Sequence, residues 1–175
     1  KIPSGSISGE KLTVIFQSAS KNKVNLNRKK KWITFVGKLN RSKGYDIFGS
    51  SVLKILKKYK DWQAIVIGDE QRDKITFNHE RLKNLGFLEH KKVINIFKKS
   101  NIAVACSRWN EPFGRTSLEG SASACAVIIS NRGGLPETVT NAIILKKLNQ
   151  KELTKKIELL IKKPKVKLKV KLKAK

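Results

Sequence analysis

The chain has 175 residues, of which 39% are hydrophobic and 30% charged, so it is long and apolar enough to bury the core of one globular domain without disulfides. Lys and Arg number 39 against 13 Asp and Glu, which gives a formal net charge of +26 at pH 7. No run approaches the roughly 18 apolar residues of a membrane span and no signal peptide opens the chain, so a cytoplasmic protein is expected.

The positive charge by itself does not identify the binding partner. A surface this basic attracts polyanions, either nucleic acid or an anionic membrane. An AT-rich genome, which encodes many Lys, Asn and Ile residues, would give the same excess whatever the protein does. No RRM, KH, helix-turn-helix or zinc-finger pattern is present, and aromatic residues are not interleaved with basic clusters, so nucleic acid is not the expected partner.

Apolar runs of strand length recur along the chain, and amphipathic helical patterns separate most of them. The runs occupy residues 12–16, 32–37, 63–68, 101–107, 126–130 and 142–145. The helical patterns occupy residues 45–59, 90–99 and 152–161. Nearly continuous apolar strands are typical of parallel sheets covered on both faces. The alternation therefore predicts a doubly wound, Rossmann-like α/β domain.

The chain divides into three predicted segments. Residues 1–31 are an expected N-terminal strand and surface linker, residues 32–163 the Rossmann-like domain, and residues 164–175 a basic tail. The tail sequence KVKLKVKLKAK alternates strictly, which suits an exposed strand, but its many like charges favour a solvated segment. The chain begins with Lys1 and contains no Met, so we expect a fragment of a longer protein.

The most informative stretch is NEPFGRTSLEG, residues 110–120, in which two glutamates lie eight residues apart. The preceding strand is predicted to end near residue 107, and the next helix to begin at Phe113 or Gly114. Glu111 would then lie in the loop and Glu119 inside the helix. Both would be above the carboxyl edge of the sheet, where doubly wound domains bind ligands.

Two carboxylates in one crevice suggest recognition of hydroxyl groups. A carboxylate accepts two hydrogen bonds at once, so Glu111 and Glu119 could each hold a pair of vicinal sugar hydroxyls, while the helix N-terminus would favour phosphate. The alternative is structural: Glu119 pairs with Arg115 one turn earlier on the helix, and Glu111 only complements the helix dipole.

EPFGRTSLEG resembles the E-x7-E motif of retaining glycosyltransferases with the GT-B fold, in particular those of group 1, family 4. The family pattern continues with small residues, a strand and GGxPE, and here the continuation is SASACAVIISNRGGLPETV. WITFVGKLNRSKG resembles the family phosphate loop with its strand, and DWQAIVIGD the next strand. NLGFLEHKKVINIFKKSNIAVACS resembles the nucleobase loop, helix and strand. These elements keep the family order over residues 12–161, so the resemblance is specific.

The resemblance implies one lobe of a GT-B enzyme, the C-terminal domain that binds a nucleotide diphosphate sugar, UDP- or GDP-linked. The acceptor site would lie in a missing N-terminal domain of the same polypeptide. The implied reaction is metal-independent transfer of a hexose-type sugar, with retention, to a glycan or lipid-linked acceptor, as in polysaccharide biosynthesis. No cofactor is implied, and the isolated lobe is expected to be inactive. The excess Lys would also suit peripheral contact with the anionic inner face of a membrane.

The resemblance also assigns roles to residues of the motif. Glu119 would bind the ribose hydroxyls and Glu111 the hydroxyls of the transferred sugar, helped by backbone N–H groups at Phe113 and Gly114. Three further residues are expected near the phosphates, ribose and base: Arg115, Thr116 and Leu118.

The phosphate loop departs from the family at one position. The usual arginine after the glycine is replaced by Lys38, while Lys43 keeps the second basic position and Arg41 occupies a position that the family does not fix. Lysine supplies charge but lacks the bidentate fork of arginine. We expect Lys43, with Lys38 or Arg41, to neutralise the leaving diphosphate. The alternative is that all three are solvated surface cations.

Two further segments are candidates by position. Main-chain groups of Gly86 and Phe87 are expected to contact the nucleobase. Gly133, Gly134 and Glu137 resemble the loop that closes over the site, although a plain turn and helix cap would give the same residues.

No metal site is implied, because there is no D-x-D and the two histidines, His79 and His90, lack ligand spacing and are expected at the surface. Cys106 and Cys125 lie in apolar contexts without CxxC, which predicts buried free thiols in a reducing compartment. Sugar-nucleotide epimerases and glycan phosphorylases share the GT-B architecture and remain alternatives, although the EPFG sequence favours transfer.

Overall fold

The computed structural model describes residue 19, residues 24–73 and residues 75–163. The predicted strand at 12–16 and the predicted basic tail at 164–175 lie outside the described residues. The described strands are β1 (Lys30–Val36), β2 (Gln63–Ile67), β3 (Leu82–Asn84), β4 (Ser100–Ala105), β5 (Ala126–Ser130) and β6 (Ile143–Leu145). The α-helices are α1 (Tyr45–Lys58), α2 (His90–Lys99), α3 (Arg115–Ala122), α4 (Leu135–Thr138) and α5 (Gln150–Lys162).

The strands form one parallel sheet in the order β3-β2-β1-β4-β5-β6. The chain builds outwards from β1 through β2 to β3, then returns to the other side of β1 and builds outwards again from β4 to β6. The order therefore reverses between β1 and β4. In sheets of this kind, ligands bind in the crevice above the carboxyl ends of the two strands at this reversal. The predicted doubly wound, Rossmann-like α/β fold is confirmed.

Helices cover both faces of the sheet, which is why the strands are apolar along nearly their whole length. Successive residues of a strand point to opposite faces. In β1, Ile33 and Phe35 belong to the core under α1 and α5, whereas Trp32 and Val36 pack on the side of α2 and α4. Phe35 also contacts the ring of Phe48 on α1, with ring centroids 5.1 Å apart.

The predicted helix limits agree closely with the structure. α2 covers the predicted residues 90–99, and α1 ends one residue before the predicted limit. α5 begins two residues earlier than predicted, because the Asn149 side chain caps it by accepting a hydrogen bond from the backbone N–H of Glu152 at 2.9 Å.

Two predictions of secondary structure need correction. The apolar pattern does not mark β3, a three-residue strand at the edge of the described sheet, which pairs with β2 and in which Lys83 and Asn84 are exposed. The strand predicted from residue 32 begins two residues earlier, at Lys30, which pairs with Ser100 of β4.

The predicted buried thiols are confirmed, since Cys106 and Cys125 both lie in the core and neither forms a disulfide. Burial raises the pKa of the Cys106 thiol to about 12. No helix in the part of the chain that the structure describes is long and apolar enough to cross a bilayer.

Lys29, just before β1, holds together the C-terminal ends of two helices. Its Nζ donates to the carbonyl oxygens of Phe97 at 2.9 Å and Ser100 at 2.8 Å, at the end of α2, and to that of Ser123 at 2.6 Å, at the end of α3. Cys125 Sγ, 3.7 Å from the same Nζ, is a fourth acceptor around this ammonium group, which has three N–H donors. Burial lowers the pKa of Lys29, partly offset by the neighbouring Cys125.

Candidate active site

The crevice at the reversal of strand order lies between two loops, 37–44 after β1 and 106–114 after β4. Ser42 joins them through its carbonyl oxygen, which accepts from the backbone N–H groups of Arg108 at 2.8 Å and Trp109 at 3.1 Å. The Ser107 hydroxyl donates to the same oxygen at 3.0 Å. Because both loops follow adjacent parallel strands, these bonds fix the relative positions of their side chains.

Arg108 makes a second connection between the same loops. Its Nη1 and Nη2 bind the two carboxylate oxygens of Asp46 at 2.6 and 2.8 Å, and Nη1 also donates to the carbonyl oxygen of Arg41 at 2.6 Å. Hydrogen bonding from Arg108 holds the pKa of Asp46 below its ordinary value. Arg108 therefore ties the loop after β4 to the loop after β1 and to the start of α1.

Asp46→Asn tests this connection through the pH dependence of stability. A carboxyl group whose pKa is lowered by folding contributes stability above its unfolded pKa of about 3.9, and this contribution is lost as the pH falls through the folded pKa. Since the pair is partly exposed, we expect Asp46→Asn to lower the free energy of unfolding by about 1 kcal/mol at pH 6 and by clearly less at pH 3. Urea unfolding at both pH values measures the difference. An equal loss at both would contradict the ionic contribution of Asp46.

Lys43 and Glu111 meet across the crevice. Lys43 Nζ lies 2.6 Å from Glu111 Oε1, and the side chains are 32% and 16% exposed, so the pair faces a partly desolvated space. The loop at Gly133 and Gly134 contacts the backbone of Glu111. The backbone N–H of Gly134 donates to the Glu111 carbonyl at 2.7 Å, and a Cβ on Gly133 would lie 2.2 Å from that oxygen.

The start of α3 forms another wall of the crevice. α3 begins at Arg115, one residue later than the last predicted start, because Gly114 has the left-handed φ of 94° and acts as its N-cap. The first N–H groups of any helix have no intrahelical acceptor, so those of Arg115 and Thr116 are available to a ligand. A positive dipole end with free donors suits a phosphate group.

Glu119 is buried in the second turn of α3, with its side chain 10% exposed. Its Oε1 accepts from Arg115 Nε at 2.7 Å, so the helical pair anticipated as the structural alternative is present. The same oxygen lies 2.9 Å from Nε2 of His90, the first residue of α2. His90 is exposed, as expected, but its contact with Glu119 joins two segments that the sequence pattern does not connect.

A cavity of about 260 Å³ occupies the crevice. Its lining includes five predicted site residues: Lys43, Glu111, Gly114, Arg115 and Thr116. Glu119 lies beside this cavity, in contact with Arg115. The geometry therefore combines a cation, two carboxylates and a helix N-terminus at the position where the fold binds ligands.

A family model described as "Glycosyl transferases group 1" matches residues 16–175. The chain belongs to this glycosyltransferase family. The resemblance to group 1 enzymes is thereby confirmed. The match spans the described sheet, both loops of the crevice and α3.

Curated group 1 relatives are similar over much of this chain. Lipopolysaccharide core biosynthesis mannosyltransferase LpsB of Rhizobium meliloti is 29% identical over 134 residues, covering 71% of this chain and 38% of the relative. A component of the human phosphatidylinositol N-acetylglucosaminyltransferase is 30% identical over 135 residues, covering 72% of this chain and 28% of the relative. The chain thus spans well under half the length of these relatives.

Solved structures of this fold cover the chain more fully. The C-terminal domain of a glycosyl transferase group 1 family protein, LpcC, from Francisella tularensis has a TM-score of 0.74 at 23% identity, covering 87% of this chain and 90% of that domain. Anabaena HepE in complex with UDP and glucose has a TM-score of 0.67 at 19% identity, covering 82% of this chain and 42% of HepE. These likenesses identify the fold as one Rossmann-like lobe of the GT-B type.

Some residues predicted for the group 1 site lie outside the cavity. Lys38 and Arg41 are exposed in the phosphate loop. Gly86 and Phe87 lie in the loop after β3, where Gly86 has the left-handed φ of 64° and Phe87 is 76% exposed. Leu118 is half-buried on α3, and Phe113 is half-buried in the loop before it.

The structure also shows polar contacts next to the crevice that the sequence motifs do not predict. Glu70 lies next to the phosphate loop: its carboxylate accepts from the backbone N–H of Arg72 at 3.2 Å and from the amide of Asn40 at 2.9 Å. These bonds, and the charge of Lys38, hold the pKa of Glu70 below its ordinary value. Within the described residues, no group of three His, Cys, Asp or Glu side chains could hold a metal ion.

Proposed function

We propose that this chain is the donor-binding lobe of a group 1 glycosyltransferase and that it holds a nucleotide diphosphate sugar in the crevice above β1 and β4. The observation that carries the proposal is the convergence of Lys43, Glu111 and Glu119 where the strand order reverses. The fold shared with HepE, whose structure contains UDP and glucose, supports the same class of ligand.

In this proposal, the diphosphate lies between Lys43 and the N–H groups at the start of α3. Lys43 exchanges its bond with Glu111 for one with the diphosphate, and Glu111 is then free to accept from hydroxyls of the transferred sugar. Glu119 accepts from the ribose hydroxyls. Lys38 and Arg41, in the same loop as Lys43, add positive charge beside the leaving group.

The nucleobase would lie toward the loop after β3, against main-chain groups of Gly86 and Phe87. Leu118 and Phe113 would pack near the ribose and the sugar. Backbone contacts to the base place few requirements on side chains, so the sequence does not distinguish a UDP sugar from a GDP sugar. We therefore propose these two donors as a class.

The whole enzyme would transfer a hexose-type sugar, with retention and without a divalent metal, to a glycan or lipid-linked acceptor held by an N-terminal domain of the same polypeptide. The names of LpsB and of the human phosphatidylinositol N-acetylglucosaminyltransferase support an acceptor of this kind. Peripheral contact with an anionic inner membrane surface would bring the enzyme to such an acceptor. The lobe alone would bind the donor without turnover, and EDTA would leave both binding and transfer unchanged.

A calorimetric titration of this chain with UDP, GDP and ADP, and with their sugar conjugates, tests the proposal at physiological salt. We expect one nucleotide to bind saturably, and Glu119→Ala to weaken it roughly tenfold or more, since hydrogen bonds to charged groups contribute about 1.5–3 kcal/mol. Glu152→Ala is the matched control, because Glu152 forms the same i,i+4 pair with Lys156 on α5, away from the crevice.

Binding of polyanions without binding of nucleotides would contradict the proposal. If no nucleotide binds, while DNA or anionic vesicles bind tightly and lose affinity steeply as salt is raised, the charge of the chain is its function and the donor-binding proposal is wrong.

A further inference from the structure

We propose that His90 is a positioning residue for Glu119, holding one carboxylate oxygen so that the other is presented to the ribose of the nucleotide. This inference rests on the proposed function. Its basis is the 2.9 Å contact between His90 Nε2 and Glu119 Oε1. Neither the spacing of the E-x7-E motif nor the family sequence pattern assigns a role to His90.

The geometry at Glu119 is asymmetric. Both described partners of the carboxylate, Arg115 Nε at 2.7 Å and His90 Nε2 at 2.9 Å, use the same oxygen, Oε1. Because Glu119 can only accept, the histidine must donate from Nε2. No hydrogen bond among the described residues uses Oε2. The fully buried side-chain atoms without a hydrogen-bond partner among the described residues are Tyr59 Oη and Thr154 Oγ1, so Glu119 Oε2 is not sealed off from solvent.

The two partners hold Glu119 from different elements. Arg115 is one turn earlier on α3 and 68% exposed, so it can move with the helix surface and with any bound phosphate. His90 begins α2, directly after the loop that carries Gly86 and Phe87. A bond from α2 therefore fixes the carboxylate relative to the loop where the base is expected, which a bond within α3 cannot do.

This connection is supported at the other end of the same two helices. Lys29 ties the carbonyl ends of α2 and α3 together. With the C-terminal ends fixed, the His90–Glu119 contact sets the remaining separation between the start of α2 and the second turn of α3. A carboxylate held in one rotamer loses less conformational freedom when it binds a diol, so ribose recognition should depend on His90.

The test compares ribose recognition with overall binding. The dissociation constants of UDP, GDP and ADP, and of their 2′-deoxy forms, are measured for the full chain by calorimetry. The readout is the ratio of the 2′-deoxy constant to the ribonucleotide constant, for the base that binds. This ratio isolates the ribose contact from the contribution of the diphosphate, which both ligands share.

We expect a ratio of roughly ten or more in the unaltered chain, and a ratio near one in Glu119→Gln. In His90→Leu the ratio should fall about three- to tenfold while affinity for the deoxy form changes little. His90→Gln should keep the ratio within about twofold, because the glutamine amide offers a donor near the position of Nε2. Asn95→Leu, which places the same apolar side chain on the exposed face of α2, should leave the ratio unchanged.

The outcomes separate the inference from the function on which it rests. A ratio that falls in Glu119→Gln but not in His90→Leu overturns the role of His90 and leaves the donor-binding proposal standing. A ratio that is already near one in the unaltered chain, or that Glu119→Gln does not lower, overturns both the ribose assignment of Glu119 and the inference. Equal loss in His90→Leu and His90→Gln also overturns it, since the donor would not be what matters.

Discussion

Replacing Lys43 with methionine is expected to lower the rate of sugar transfer by the whole enzyme about 10²- to 10³-fold, equivalent to roughly 2.7–4 kcal/mol of transition-state stabilisation. In the proposed reaction, negative charge would grow on the diphosphate as the bond to the sugar breaks, and Lys43 lines the cavity together with Arg115. Methionine keeps the length of the side chain and removes the charge. It also leaves Glu111, which is only 16% exposed, without its described partner.

A matched control and a binding measurement separate this effect from general loss of charge. Lys58→Met breaks a lysine–glutamate pair of similar length, 2.7 Å to Glu158, on the surface formed by α1 and α5, and should leave transfer unchanged. In the isolated chain, Lys43→Met should weaken binding of the nucleoside diphosphate more than binding of the nucleoside. If the variant transfers sugar at the unaltered rate, Lys43 does not act on the leaving group.

Replacing Gly44 with alanine should destabilise the lobe by about 3 kcal/mol or more. Gly44 has the left-handed φ of 74°, which costs an alanine about 1–2 kcal/mol. A Cβ there would also lie 2.0 Å from the carbonyl oxygen of Cys106, which is backbone and cannot rotate away. Overpacking in a buried region adds a further cost of about 1–3 kcal/mol.

Gly86→Ala is the control that separates the two causes. Gly86 has a similar φ of 64°, but nothing lies within 4 Å of an added Cβ. This variant should therefore lose only about 1–2 kcal/mol, the conformational part of the cost. Urea unfolding measures both variants. Equal losses would mean that the close approach of the two loops at Gly44 and Cys106 relaxes without cost.

The sequence pattern predicts the fold well because the strands of a covered parallel sheet are apolar throughout. Five described strands match apolar runs within one or two residues, and α2 matches its amphipathic pattern. β3 has no such signal: three residues at the edge of the sheet, mostly exposed, are held by backbone bonds to β2. Such a strand is specified by its neighbour and not by its own side chains.

The site is predictable only in part. The rule that ligands bind after parallel strands places Lys43 and Glu111 together, although they are 68 residues apart in sequence. The contact of His90 with Glu119 and the clamp of Arg108 on Asp46 depend on how helices and loops lie across the sheet. No periodicity or spacing encodes these contacts, because each joins two elements through the ends of long side chains.

The reactivity of Lys29 can report local opening of the lobe. Most lysines among the described residues are exposed and would react quickly with an amine-directed acylating reagent. The partly buried Lys29 amine donates hydrogen bonds to carbonyl groups at the ends of two helices, so it should react more slowly, and faster when those ends separate. The rate at which mass spectrometry finds Lys29 acylated would then report the opening of the helical layer that carries His90 and Glu119.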